Sequence, residues 1–176
     1  MKLEEIKLQE SSVSVIFGKQ DHDEEYCDYS NAKLTSLEGS PKHVSDDFTC
    51  FSNNLKSLKG GPEYVGGDFY CYHNGLTSLE GAPSWVDGIF NCRDNNLTSL
   101  HNIHKHIKHI GGMLYASRNP IKSHVLGVVL IDGIKNIWID NKKVQDIINK
   151  HLDGDKDVFA CQEELIENGY EDYAKL

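Results

Sequence analysis

The stretch from Cys50 to Leu100 repeats itself. Cys50, Cys71 and Cys92 stand 21 residues apart, and so do Asn53, Asn74 and Asn95, then Leu55, Leu76 and Leu97, then Leu58, Leu79 and Leu100. Slots that recur at one fixed period do not arise from composition. The chain is therefore a tandem array, in which no unit buries its own apolar face and neighbours must stack. The unit reads F-x-C-x-x-N-x-L-x-x-L followed by P-x-x-V. Phe69 and Cys71 are two apart, so in a strand they share a face. Stacking then piles Phe on Phe and Cys on Cys, about 4.7–4.9 Å per strand. Leu76, Leu79 and Val86 face the same interior from the turn and the return path. Asn74 and its equivalents stand where the chain leaves the strand, and their amides are expected to hydrogen-bond turn backbone. Gly60, Gly81 and the Gly66–Gly67 pair are expected at turns that need unusual φ. Pro41, Pro62 and Pro83 stiffen the return path.

This phrasing resembles the leucine-rich repeat, with Phe48, Phe69 and Phe90 in one leucine slot and the cysteines in the next. The short period and the N-x-L-T-S-L-x-G-x-P wording are similar to the short bacterial subtype of effector proteins of enteric pathogens, and to uncharacterised bacteriophage proteins. The resemblance covers roughly residues 26–121. It implies an α/β leucine-rich repeat solenoid, a curved parallel β-sheet of short β/coil repeats with a helical C-terminal cap. It also implies a concave protein-binding face and a host-cell protein as the partner.

Along the chain, residues 1–25 do not fit the repeat. LEEIKLQE and SVSVIFG alternate loosely, as a β cap hairpin would, and DHDEE follows as an acidic turn that guards the first strand edge. Repeats fill residues 26–141. The first is degenerate: Cys27 takes the Phe slot, Tyr29 the Cys slot and Ala32 the Asn slot. After Leu100 the period lengthens by three, so that Ile110, Leu114, Ala116, Asn119 and Ile121 continue the Val, Phe, Cys, Asn and Leu slots. SHVLGVVLI is a short buried helix or strand, and periodicity does not decide between them. A last strand over 134–140 carries Ile137 and Ile139. Residues 142–176 change period to 3.6, which predicts helices over about 143–152 and 156–168. Val144, Ile147, Ile148 and Leu152 line one face, and Val158, Cys161, Leu165 and Ile166 another. Gly169 is the stop. All three segments make one structural domain.

A net charge of −9 argues against general nucleic-acid binding. Three of the five cysteines form an internal ladder in an apolar slot, which predicts reduced, buried thiols and a cytoplasmic location. No apolar run is long enough to span a bilayer and no basic-then-apolar start is present, so neither a membrane association nor a signal peptide is expected.

The slots facing away from the core carry no structural duty. They hold Thr49, Tyr70, Asn91 and Tyr115 between Phe and Cys, and Phe51, Tyr72, Arg93 and Ser117 just after Cys, with Trp138 on the last strand. Aromatic residues and Arg are enriched at interface hot spots, so these nine are the candidate partner-binding residues. The expected function is binding of a host or cellular protein, in the manner of a phage-encoded inhibitor, without a cofactor. A structural or homo-oligomerising module is the first rival. The second is a metal-dependent enzyme built on His101, His104, His106 and His109. No Asp or Glu lies between 101 and 131, so that segment is expected to be a solvated basic loop with Lys105, Lys108, Arg118 and Lys122. No nucleophile elbow, P-loop or dinucleotide fingerprint is present, and the chain is not expected to be an enzyme.

Overall fold

The computed structural model of the protein describes residues 11–13 and 24–176. The β cap expected over 1–25 lies almost wholly outside the described residues.

Among the described residues each of the first four repeats supplies two short strands, later coils supply one, and all of them pair in parallel. One sheet has six strands in the order β1 (Cys27–Asp28), β3 (Phe48–Thr49), β5 (Phe69–Tyr70), β7 (Phe90–Asn91), β9 (Met113–Tyr115) and β10 (Asn136–Trp138). The other has four: β2 (His43–Val44), β4 (Tyr64–Val65), β6 (Trp85–Val86) and β8 (His109–Ile110). The molecule is a β-solenoid. The sequence reading expects one strand per repeat, and the second sheet is a finding of the structure. Pro41, Pro62 and Pro83 each stand two residues before a strand of that second sheet, where they fix φ without removing a ladder donor.

The register is the one the period dictates. Phe48 pairs with Phe69, Phe69 with Phe90 and Phe90 with Leu114. Cys27 pairs with Phe48, and Ile137 with Leu114. The three Phe rings are fully buried; Phe48 stacks on Phe69 at 5.5 Å between centroids, and Phe90 meets Phe69 at 5.1 Å with the rings tilted by 44°. Burying one such ring stabilises the fold by roughly 1.5–3 kcal/mol. The ladder of Cys50, Cys71 and Cys92 is equally buried, and its thiols are free. Val44, Val65, Val86 and Ile110 close the core from the second sheet.

The asparagines fasten each coil to the one before. Asn74 Nδ2 donates to the carbonyls of Cys50, Cys71 and Tyr72 at 3.0–3.3 Å, and its Oδ1 accepts from Leu55 N. Asn53, Asn95 and Asn119 repeat this set. The residue ahead of each asparagine is left-handed although none is Gly: Ser52, His73, Asp94 and Arg118 have φ of 52–54°. Such a conformation costs about 1–2 kcal/mol in a residue with a Cβ, and the asparagine bonds offset it. Gly60 and Gly81 have φ of 84° and 83°, as expected, and Asn102 takes the equivalent place in the next repeat at 56°. Gly66 and Gly67 need their missing Cβ for a different reason than unusual φ. A Cβ there would run into the Ser45 carbonyl and the Asp47 side chain of the preceding coil.

The inserted residues of the fourth repeat form a single helical turn, α1 (Ile103–His106), and the undecided apolar run becomes a 3-10 helix over Leu126–Leu130. Two helices end the chain, α2 (Lys142–Leu152) and α3 (Val158–Glu167). Asn141 and Asp157 start them by accepting from first-turn N–H groups. Val144, Ile147, Ile148 and Leu152 are buried, as are Cys161 and Leu165. Ile166, expected on the buried face, is instead 46% exposed, because the helix turns only one narrow stripe inward. The outer edge of β10 meets α2 side chains: Asn149 accepts from Ile137 N and donates to Ile137 O, and Gln145 accepts from Ile139 N.

Candidate interaction surface

The outward rows of the six-stranded sheet carry the expected residues, with one correction. Thr49 is 6% exposed. Its short side chain lies in register between Asp28 and Tyr70, and its hydroxyl donates to Asp28 Oδ1 at 2.8 Å. It is part of the scaffold and is not available to a partner.

Three residues of successive repeats form a continuous stack. The Phe51 and Tyr72 rings lie 4.5 Å apart at 5°, and the Arg93 guanidinium sits 4.9 Å above the Tyr72 ring. A cation over an aromatic face is worth about 0.5–1 kcal/mol at an exposed site. Tyr70 meets Tyr72 edge-on at 6.3 Å and donates its hydroxyl to Asp68 Oδ2 at 2.5 Å. Burial, with the Asp68 carboxylate beside it, holds the Tyr70 phenol well above its ordinary range. Farther along, Tyr115 and Trp138 stack at 6.2 Å, and Trp138 is 51% exposed. Asn91 and Ser117 separate the two aromatic groups in their rows. Arg93 joins them, because it lines one cleft with Tyr115, Ser117, Arg118, Trp138 and Asp140.

Arg118 does not belong with the basic segment. Its Nη1 donates to Asp94 Oδ1 at 3.4 Å, and its backbone N–H donates to Asp140, at the margin of the six-stranded sheet. Asp94 lies beneath the cations of Arg93, Arg118 and, when protonated, His73.

The second sheet carries a ring ladder that the sequence reading missed. His43 stacks on Tyr64 at 4.4 Å and Trp85 on His109 at 4.2 Å, with Tyr64 and Trp85 in register. Asp87 accepts from the Tyr64 hydroxyl at 2.7 Å and from Trp85 Nε1 at 2.6 Å, and these bonds hold its carboxyl below the usual range. The signal was present in the slot before each Val. That slot changes residue type in each repeat, yet always holds a ring. Within each pair the two rings cover one another's faces.

The histidines of the inserted segment diverge. His101 Nδ1 lies 3.2 Å from the Leu176 carbonyl oxygen. His104 turns toward Gly127 with Nδ1 buried and without a hydrogen-bond partner. His109 approaches Asp132 at 3.1 Å and Asp87 at 3.6 Å. Burial and then the cations of Lys105, Lys108 and the neighbouring imidazoles keep His104 below the usual histidine range. Among the described residues no group of three or more His, Cys, Asp or Glu is placed to hold a metal ion, and no described helix is long and apolar enough to cross a membrane.

Comparison with protein-family models, with curated proteins and with solved structures found no match for the chain.

Proposed function

We propose that the protein is a non-catalytic binding module that takes a protein partner on the outer face of its six-stranded sheet. One observation carries this reading: the stack of Phe51, Tyr72 and Arg93 stands on the surface, where the fold has no need of it. Aromatic and Arg side chains in such a group are what interface hot spots are made of. The contact residues are Phe51, Tyr70, Tyr72, Asn91, Arg93, Tyr115, Ser117 and Trp138. With the leucine-rich repeat resemblance, this face is the concave one, α2 and α3 act as the C-terminal cap, and the partner is a host-cell protein that a phage-encoded chain would inhibit or redirect. The free, buried thiols accord with a reducing cytoplasm.

The test compares two baits. Wild type and the Phe51, Tyr72, Arg93 triple alanine variant are immobilised and exposed to the same bacterial lysate. A protein held by wild type and lost by the variant, then titrated in pure form, supports the reading. The same captured set on both baits removes it.

A second reading, self-association, is favoured by one observation. Phe159 is 81% exposed and shares a face of α3 with Ile166. A mass that rises with concentration and falls in Phe159→Glu would support it.

A further inference from the structure

The stack on the six-stranded sheet stops one place short. Phe51, Tyr72, Arg93 and Ser117 occupy one row in successive coils, and the first three cover one another. Ser117 is too small to cover Arg93, so the far face of the guanidinium looks into the cleft. Tyr115 and Trp138 form its aromatic wall, and Asp140, next in the Ser117 row, forms its far end.

Two other carboxylates that stand beside outward rings are taken up by them. The Tyr64 hydroxyl and the Trp85 indole N–H both enter Asp87, and the Tyr70 hydroxyl enters Asp68. Among the described residues Asp140 receives only the Arg118 backbone N–H, at 3.1 and 2.9 Å to its two oxygens. A carboxylate has about four acceptor positions, so Asp140 retains capacity toward the cleft. The notch has a cation where an aromatic face would lie and an acceptor where its polar edge would reach.

We infer that this notch is a receptor for a tyrosine side chain of the protein partner. The inference rests on the reading of this face as a protein-binding surface. The occupant follows from charge complementarity. A ring lying over Ser117 puts its negative face on the Arg93 guanidinium and its edge against Trp138. Its phenol hydrogen reaches Asp140. A carboxylate in the same place would meet the Asp140 carboxylate, and an aliphatic chain would leave the Asp140 acceptor unused. The tyrosine completes the row begun by Phe51.

The probe is N-acetyl-tyrosinamide, titrated into the isotopically labelled full-length chain and followed by amide and indole resonances. The expected result is saturable movement of the Ser117 amide and the Trp138 indole N–H. The Trp85 indole, bonded to Asp87 on the other sheet, stays in place. N-acetyl-phenylalaninamide, lacking the hydroxyl, binds roughly fivefold more weakly. Ser117→Phe fills the notch with a ring of the kind its row already carries at Phe51, and cuts affinity about tenfold or more. Trp138→Ala, which removes the wall, does the same with the Ser117 amide as reporter. Absence of saturable movement, equal movement with N-acetyl-leucinamide, or binding that survives Ser117→Phe overturns the inference. Movement confined to Phe51 and Tyr72 overturns the notch and leaves the face reading standing. Tyrosinamide binding in the notch, with protein capture indifferent to the triple alanine variant, removes the face reading and overturns the assignment of the notch to a partner's tyrosine.

Discussion

Asn95 Oδ1 accepts the backbone hydrogen of Leu76 at 3.0 Å, nineteen residues earlier in the chain. Its Nδ2 fills the carbonyls of Cys71, Cys92 and Arg93. One side chain thus satisfies four backbone groups at a buried position. We predict that Asn95→Ala destabilises the protein by about 2–4 kcal/mol, since several buried groups lose their partner at once. Asn95→Asp keeps the shape but aims a carboxylate at three carbonyls, and should cost at least as much. Urea melts of both variants check this. A loss below about 0.5 kcal/mol in either would mean that water replaces the amide freely.

The inward and outward slots of one repeat should respond oppositely to truncation. Phe69→Ala leaves a core cavity and should cost about 3–5 kcal/mol. Tyr72→Ala, half-exposed, should stay within about 1 kcal/mol. Partner binding should invert the order, with Tyr72→Ala or Arg93→Ala weakening it by about 2 kcal/mol, roughly thirtyfold. Paired melts and titrations decide. A Tyr72→Ala variant that binds like wild type would move the interface off this row.

The thiols supply a pH dependence at the alkaline end. Burial pushes Cys92 and Cys161 up to about 12 and Cys27 to about 11, from an ordinary 9.0, and raises Cys50 and Cys71 as well. A raised thiol pKa means that the unfolded chain ionises first. The stability involved is fully present below about pH 9 and is lost as pH climbs toward about 12. Melting temperature should fall across that window, and replacing Cys71 by Ala should flatten part of the fall. After unfolding without reductant, a thiol reagent should count five groups, the number of cysteines in the chain. Disulfides among Cys50, Cys71 and Cys92 would contradict the stacked core.

Truncation after Lys142 removes the amides of Gln145 and Asn149 that fill the N–H of Ile139 and both backbone groups of Ile137. An unpaired parallel edge then faces solvent, and the truncated chain should aggregate. Asn149→Ala isolates the edge effect and should cost about 1–3 kcal/mol. A soluble, cooperatively melting truncation would make α2 and α3 an appendage.

Elemental analysis of protein purified without a tag should find no stoichiometric zinc or nickel, because His101, His104 and His109 face three different neighbours. A ratio near one metal per chain would reverse this and reopen the enzymatic reading.

The inward slots were legible because burial restricts them to a few residue types. Phe, Cys and Leu recur, and the period carried the register even onto Cys27 and Leu114. The α2 face was legible for the same reason. The left-handed row was not, since Ser52, His73, Asp94 and Arg118 share a backbone conformation and nothing else. The second sheet escaped because each coil gives it only two residues, just past a proline. Thr49 and Ile166 went wrong for a common cause: alternation says which way a side chain points and nothing about how far its neighbours reach over it. On the candidate face, residue type marked the aromatic row, but the gap at Ser117 shows only once Arg93 is seen lying on Tyr72.

The asparagine bonds all run backward along the chain, from Asn53 to the first coil, from Asn74 to the second and from Asn119 to the fourth. No coil is complete on its own residues, since each waits for a side chain made later. A growing chain therefore always ends on an unlatched coil, and α2 closes the last strand with amides from outside the repeat. The dependency has a direction: a fragment cut from the front retains its latches, and a fragment cut from the back always loses one.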